Sequence, residues 1–203
     1  MQTFLCSTSP RVVAQRLDNL RLNKQITEAF QIRDTLSFLD ENGRVGPIFE
    51  EFCNKHQRNP NKLLAWAHHP AVLQWIGYEN FLNFYIFKMH YEWVTIRKKN
   101  YKREAPKFAY PVVKPNWLGP TFVDTHKSSL LRKDRDFYGK YGWEVEDVPY
   151  YWPWVWSPKS NSRLFITQKV YKNISRNGDE YYKKCLGNIK TMGSCNENGL
   201  YFI

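Results

Sequence analysis

The pattern of apolar and polar residues predicts a mostly helical chain. Apolar side chains recur every three or four positions in several stretches, which is the spacing of one helix face. In residues 21–40 the apolar positions are Leu22, Ile26, Ala29 and Phe30. The polar positions on the opposite face are Arg21, Lys24, Gln25 and Glu28. Because residues three, four and seven apart are neighbours on a helix, we predict one carboxylate on a basic stripe. Such a stripe suits chemistry on a polyanion, but the spacing alone favours an ordinary ion-paired helix surface.

Local signals predict two further helices near the N-terminus. Ser9 followed by Pro10 is typical of a helix start, with Ser9 as the cap, and predicts a short helix to about residue 19. Gly46 and Pro47 mark a break, after which a helix is expected at about 47–55.

The longest predicted helix covers about residues 70–98. His69 is the expected cap and Pro70 the first helical residue. A stripe of large apolar residues recurs through it at helical spacing: Trp75, Tyr78, Leu82, Tyr85, Ile86, Met89 and Trp93. We expect most of this stripe to be buried, so that the helix forms the centre of the fold.

The C-terminal half is less regular. Residues 100–120 read as a long basic loop, and 124–133 as a helix. Residues 149–156 form an aromatic block that is too rich in proline for a helix, and it would either pack on the helices or stack on bases. The remainder offers at most a strand or short helix, at Leu164, Ile166 and Tyr171.

The predicted fold class is all-α. We expect a compact single-domain helical fold with a long central helix over residues 1–156, followed by an irregular C-terminal extension over residues 157–203.

Charge distribution points to a polyanionic partner. The net charge is +11, and residues 97–140 hold 12 Lys and Arg against 4 Asp and Glu, a difference of +8. Residues 1–96 hold 10 against 9, which is nearly neutral. The basic stretch is interleaved with aromatic residues, which favours nucleic acid over a merely solvated basic surface.

Composition also argues against a membrane protein and against a metal-binding protein. The sequence contains no run of about 18 apolar residues, so we expect no membrane partner. The four cysteines lack a paired metal spacing, and neither a metal nor another cofactor is expected. We expect a monomer in the cytoplasm, associated with nucleoid or viral DNA.

Glu28 is the candidate catalytic residue. Breaking the bond between a sugar and a base develops positive charge at the sugar carbon, which a carboxylate stabilises. A single carboxylate needs either an activated water or an amine as the nucleophile. The α-amino group of Met1 suits that task because its ordinary pKa, near 8, leaves a useful neutral fraction at pH 7.

Several other residues are candidates for DNA contact. They are basic or hydrogen-bonding side chains at predicted helix surfaces and starts: Arg21, Lys24, Gln25, His68, His69, His126, Lys127, Ser129, Arg132 and Lys133. The two adjacent histidines favour helix capping and phosphate contact over metal binding. The group from His126 to Lys133 is expected to be either a phosphate-binding helix start or a solvated basic helix.

Several motifs together resemble the phage-type pyrimidine-dimer DNA glycosylases, the endonuclease V-type repair enzymes. Leu17–Leu22 followed by Glu28 is similar to the first-helix motif of that family, which precedes its catalytic Glu at the same distance. The stretches from His69 to Glu79 and from Lys133 to Tyr138 resemble two further family motifs. A longer branch of the superfamily is more similar still, with matching motifs at residues 1–5, 21–25, 69–72, 126–134 and 150–153. The resemblance covers about residues 1–155.

This resemblance implies a compact all-α enzyme that binds double-stranded DNA, flips a base opposite a lesion and attacks the 5′ sugar carbon with its N-terminal amine. Glu28 corresponds to the catalytic acid. The substrate would be a damaged or modified pyrimidine, a pyrimidine dimer by default, in base-excision repair, with strand cleavage by a lyase step as a second activity.

The chain departs from the family pattern at two points. Thr27 and Gln31 stand where the family has arginines beside the Glu, so Arg21 and Lys24 would have to contact phosphates. Gln2 is large, so Met1 is expected to be retained and its amine, or else water, would be the nucleophile. A non-catalytic protein that recognises distorted or modified duplex DNA is the alternative, and an RNA-directed protein is a third.

Overall fold

The computed structural model describes residues 3–57, 59–60, 66–157, 159–168 and 171. The chain forms two compact units, each made of two separate stretches. The first unit contains Met1–Arg33 and Tyr78–Tyr150, and the second contains Asp34–Gly77 and Tyr151–Ile203. The described part is mostly helical, as predicted, with one small sheet.

The first unit contains five helices and two short helical turns. The helices are α1 (Pro10–Arg16), α2 (Asn19–Leu36, whose last residues belong to the second unit), α5 (Glu79–Tyr91), α6 (Pro120–Lys133) and α7 (Arg135–Tyr138). A π-helical turn, Glu92–Ile96, continues α5, and a 3-10 turn, Gly139–Tyr141, continues α7. Residues 98–119 form a long loop between the π-helical turn and α6, close to the predicted limits of 100–120.

The elements of the second unit whose bounds are described are two helices and a hairpin. The helices are α3 (Ile48–His56) and α4 (Pro70–Leu73). Strands β1 (Trp154–Ser157) and β2 (Ser162–Phe165) pair antiparallel, with Trp154 opposite Phe165 and Ser157 opposite Ser162. A small apolar cluster includes Phe38, Phe49, Cys53 and Ala67.

Two predicted helix starts are confirmed. Ser9 occupies the N-cap position of α1 and Pro10 is its first residue, but the Ser9 side chain makes no capping hydrogen bond. His69 is the N-cap residue of α4, and its Nδ1 accepts the Ala71 N–H at 3.0 Å. Proline suits a first helical position because its missing N–H has no helical partner there. These signals are local, which is why the sequence shows them.

The predicted long helix of residues 70–98 is wrong. Helix α4 ends at Leu73, and α5 begins only at Glu79. Between them Gly77 has a φ of +82°, a left-handed conformation that no helix interior contains. Trp75 and Tyr85 are both buried, so the apolar stripe continues across a break in the helix.

Two further expectations need correction. The helix predicted at 124–133 begins at Pro120, one turn earlier, so His126 lies inside it rather than at its start. The aromatic block supplies β1, so the fold is not purely helical. Trp152 and Trp156 are buried, which favours packing over a base-stacking platform for these two rings.

The proposed boundary at residue 156 falls inside β1, which pairs with β2 beyond it. The division of the chain into a helical domain and an extension stays a prediction. Most of residues 157–203 lie outside the described part. No helix among the described residues is long and apolar enough to cross a membrane.

Candidate active site

Glu28 lies in the middle of α2 with its side chain 13% exposed. Two neighbours on the same helix face approach its carboxylate. The Lys24 ammonium lies 3.8 Å from Oε1, and the Gln25 side-chain amide donates to Oε2 at 3.4 Å. The side chain of Lys24 is 67% exposed, so the group combines a sheltered carboxylate with a cation open to water. The helical spacing predicts this juxtaposition for Lys24 and Gln25, but not for Arg21, which the same spacing also places beside Glu28.

Gln25 connects this carboxylate to the N-terminal segment. Its side chain is buried, and its carbonyl oxygen accepts the Phe4 N–H at 2.6 Å. The Tyr85 hydroxyl of α5 lies 2.9 Å from the same oxygen and 2.9 Å from the Phe4 carbonyl oxygen. Because the two ends of the Gln25 amide contact Phe4 and Glu28, the start of the chain is held next to the carboxylate.

His126 holds the same segment from α6. The Leu5 N–H donates to His126 Nδ1 at 3.2 Å, so that nitrogen carries no proton and the ring is neutral. Burial lowers the pKa of His126 to about 3, well below its ordinary value. Thr3, Phe4 and Leu5 are all buried. Met1 lies outside the described residues.

Two tyrosine hydroxyls belong to the surroundings of Glu28. Burial raises the pKa of Tyr85 well above its ordinary value, and the negative charge of Glu28 raises it further. Burial also raises the pKa of Tyr150, to which Glu28 again contributes, and the Tyr150 hydroxyl is hydrogen bonded to Ser129. Both tyrosines therefore stay protonated at neutral pH, as hydrogen-bonding groups rather than bases.

Arg21 is engaged elsewhere. Its guanidinium forms ion pairs with Asp18 at 2.8 Å and with Asp134 at 3.3 Å, and it donates to the Lys133 carbonyl oxygen at 3.2 Å. Burial disfavours the charged form of Asp18, but hydrogen bonds from Tyr138 and Arg21 outweigh it and lower the Asp18 pKa. Arg21 thus connects α2 to the end of α6 and the start of α7, and of the two predicted phosphate ligands only Lys24 accompanies Glu28.

The α6 candidates divide by exposure. His126 and Ser129 are buried, so in this conformation neither side chain is open to a phosphate. Lys127 pairs with Asp124 at 3.0 Å, and Arg132 pairs with Asp147 and donates to Ser128 Oγ at 3.0 Å. Arg132 and Lys133 are exposed. The expected phosphate-binding helix start is not formed by these residues, because the helix begins at Pro120.

His68 and His69 belong to the second unit. His69 caps α4, and burial lowers its pKa to about 4. The His68 ring stacks on Trp156 with 3.7 Å between ring centroids, and burial lowers its pKa as well. No group of three His, Cys, Asp or Glu that could hold a metal ion occurs among the residues described.

The sequence does not identify the residues that hold the N-terminal segment. Its pattern places Tyr85 in a buried stripe and Tyr150 in an aromatic block, and predicts no role for either hydroxyl. A buried tyrosine in a stripe of Leu, Ile and Met is itself a signal, because its hydroxyl needs a hydrogen-bond partner. The partners of the Tyr85 hydroxyl, Phe4 and Gln25, cannot be identified from local spacing, because they lie far from Tyr85 in the sequence.

Comparisons with known proteins agree with the motifs. A family model described as pyrimidine dimer DNA glycosylase matches residues 1–108, more than half of the chain. The matched region contains Glu28, Gln25, Tyr85 and the buried N-terminal segment. Comparison with curated proteins and with solved structures gives no match.

Proposed function

The chain belongs to the pyrimidine dimer DNA glycosylase family, and on this premise we propose that it excises damaged pyrimidines from double-stranded DNA through Glu28 and the amine of Met1. Pyrimidine dimers are the first substrate to test. The observation that carries the proposal is the hydrogen-bonded link from Phe4 through Gln25 to Glu28. It supports an amine close to a carboxylate, which the chemistry requires.

Chain length supports the reach of that amine. A residue spans at most about 3.5 Å, so the Met1 nitrogen is within about 8 Å of the Thr3 nitrogen. Phe4 is fixed to Gln25, and Gln25 contacts Glu28. The length of the chain before Thr3 therefore allows the proposed nucleophile to approach a sugar placed beside Glu28.

The proposed reaction begins at the sugar C1′. The neutral amine donates its electron pair to C1′, the bond from C1′ to the base nitrogen breaks, and the base leaves with that electron pair and takes up a proton. The Glu28 carboxylate stabilises the positive charge that develops at C1′ and accepts one proton from the attached amine. Glu28 then donates this proton to the ring oxygen as the bond from C1′ to that oxygen breaks, and a protonated imine between enzyme and sugar results.

Strand cleavage is the proposed second step. The Glu28 carboxylate, having given up its proton, accepts a proton from C2′ of the imine. The bond between C3′ and its oxygen then breaks, and the 3′ phosphate leaves with that electron pair. Water hydrolyses the imine and regenerates the free amine. Lys24 is placed to contact a phosphate next to the sugar because its ammonium is exposed beside Glu28.

The test combines lesion-containing DNA with borohydride trapping. Ultraviolet-irradiated duplex DNA should yield abasic sites or nicks, and borohydride should trap a covalent complex whose cross-linked peptide contains Met1. Glu28→Gln should lower the rate by at least about a hundredfold, as expected for loss of a proton-transferring group. Glu104→Gln is the matched control, because it removes an equal charge from an exposed site in loop 98–119.

Three results would contradict the proposal. Equal activity of Glu28→Gln and Glu104→Gln would exclude Glu28 as the catalytic acid. Base release without any trapped complex would exclude the amine and assign the reaction to water. Tight binding of irradiated duplex without turnover by the unmodified protein would instead favour the non-catalytic alternative.

A further inference from the structure

Five aromatic side chains form a continuous row on the first unit, here named the aromatic ridge. Its members come from α5 and loop 98–119: Phe84, Phe87, Tyr91, Phe108 and Tyr110. The Phe108 ring lies 5.0 Å from Phe84 and 5.3 Å from each of Phe87 and Tyr110, between ring centroids. Phe87 is also stacked on Tyr91 at 6.3 Å. The ridge therefore ends in two exposed tyrosines on a base of phenylalanines.

Tyr110 is presented to solvent on a fixed backbone. It is 80% exposed, the most exposed large hydrophobic side chain among the described residues. The Asn80 side chain holds the neighbouring Ala109 by two hydrogen bonds, accepting its N–H at 2.8 Å and donating to its carbonyl oxygen at 2.8 Å. The loop is thus anchored to α5 at Ala109, directly beside the exposed ring of Tyr110.

The charge around the ridge selects a polyanion. Loop 98–119 contains six Lys and Arg against one Glu, a difference of +5. All six basic residues are exposed. The Lys88 ammonium lies 5.2 Å above the Phe84 ring and 5.3 Å above the Phe87 ring, so a cation also borders the ridge on α5. Flat rings beside cations match a ligand with flat rings and phosphates.

We propose that the aromatic ridge binds unpaired bases of locally opened DNA, with Tyr110 stacking on a base and Lys88 and Lys107 contacting the adjoining phosphates. Paired bases inside a duplex expose only their edges, whereas an unpaired base offers the face that an exposed tyrosine can cover. The identification of DNA as the ligand rests on the proposed function. The ridge itself uses none of the residues around Glu28, so the two proposals can fail separately.

The test compares two fluorescent duplexes by anisotropy titration. One is fully paired, and the other has the same length and a short central run of unpaired thymines. Tyr110→Ala should weaken binding to the opened duplex about tenfold, the loss of one stacked base, and change binding to the paired duplex less than about twofold. Tyr110→Phe should restore the affinity, because the ring rather than the hydroxyl stacks.

Two controls separate stacking from charge and from loop damage. Val113→Ala removes another exposed apolar side chain, 66% exposed, from the same loop and should leave both affinities unchanged. Lys107→Gln should weaken binding to both duplexes alike, because phosphates are present in each. Equal loss on the two duplexes for Tyr110→Ala, or no loss, would overturn the proposal. So would a concentration-dependent dimer that Tyr110→Ala dissociates while DNA affinity stays unchanged.

Base release measured on the same preparations keeps the two proposals apart. If no preparation releases bases but the preference for opened DNA still depends on Tyr110, the ridge proposal stands and the proposed function fails. If base release is normal and the preference is independent of Tyr110, the ridge proposal fails alone.

Discussion

At the residue scale, the buried side chain of Gln25 connects Glu28 to the N-terminal segment. A buried carboxamide has one acceptor oxygen and two donor hydrogens, and here the oxygen faces Phe4 and Tyr85 while the nitrogen faces Glu28. No carboxylate or amine could replace it without placing a charge in the same buried position. One neutral side chain thus accepts the hydrogen bond of the Phe4 N–H and orients the carboxylate of Glu28, the candidate acid.

His126 makes the same segment sensitive to acid. Its pKa in the folded protein is about 3, below the ordinary 6.5, so between these values the unfolded chain binds more protons. The free energy of unfolding should therefore fall as pH drops from 6.5 towards 3. In His126→Asn, whose side chain can still accept the Leu5 N–H, that fall should be shallower by up to about 1.4 kcal/mol per pH unit.

Urea unfolding at a series of pH values measures this difference. His69, whose pKa is also lowered by burial, to about 4, contributes in the same direction and is retained in the variant. The difference between the two curves therefore isolates His126. Parallel curves for the two proteins would show that His126 is not neutral and buried in the folded state.

At the element scale, Gly77 separates what looked like one helix into α4 and α5. Its φ of +82° is accessible to glycine but strained for other residues, and nothing lies within 4 Å of the place where a Cβ would be. Backbone conformation alone should therefore decide the effect of a substitution. The apolar stripe could not show this, because both helices bury the same kind of residue at the same spacing.

Gly77→Ala should lower the free energy of unfolding by about 1–2 kcal/mol through backbone strain. Gly139→Ala is the matched control: Gly139 has a φ of −58° and equally open surroundings, so alanine there should be neutral or stabilise by up to about 1 kcal/mol. Chemical unfolding followed by tryptophan fluorescence measures both. A Gly77→Ala protein as stable as Gly139→Ala would mean that the chain does not turn at Gly77.

At the scale of the whole molecule, charge is the property that we expect to dominate DNA binding. The net charge of +11 is concentrated in residues 97–140, which alone contribute +8. Each cation that contacts a phosphate releases a condensed counterion, so affinity for DNA falls as salt rises. The exposed lysines of loop 98–119 are the expected source of this dependence.

Lys102→Gln should reduce the slope of log affinity against log salt by about one, because it removes one phosphate contact. Lys102→Arg should leave the slope unchanged, since the charge is kept. Titrations of a paired duplex over a range of sodium chloride concentrations measure both. A slope that is the same in Lys102→Gln and the unmodified protein would place Lys102 outside the DNA-binding surface.

The sequence by itself determined the features that depend on near neighbours. Helices start at Ser9–Pro10 and at His69–Pro70 because a proline at the first helical position, and at His69 a capping hydrogen bond, depend only on the next few residues. Glu28, Lys24 and Gln25 share a face because helical geometry fixes it. The family resemblance in the first-helix motif, and the family assignment of residues 1–108, likewise follow from residues read in order.

Only the tertiary structure decided which partners these residues meet. Arg21 pairs with Asp134, and Phe4 with Gln25, across more than twenty positions in each case. His126 is a buried acceptor rather than a phosphate ligand because the N-terminal segment lies against it. Spacing along a helix predicts which side chains share a face. It does not predict which segment covers that face, because that segment comes from elsewhere in the chain. Burial, and with it pKa and hydrogen bonding, depends on that covering segment.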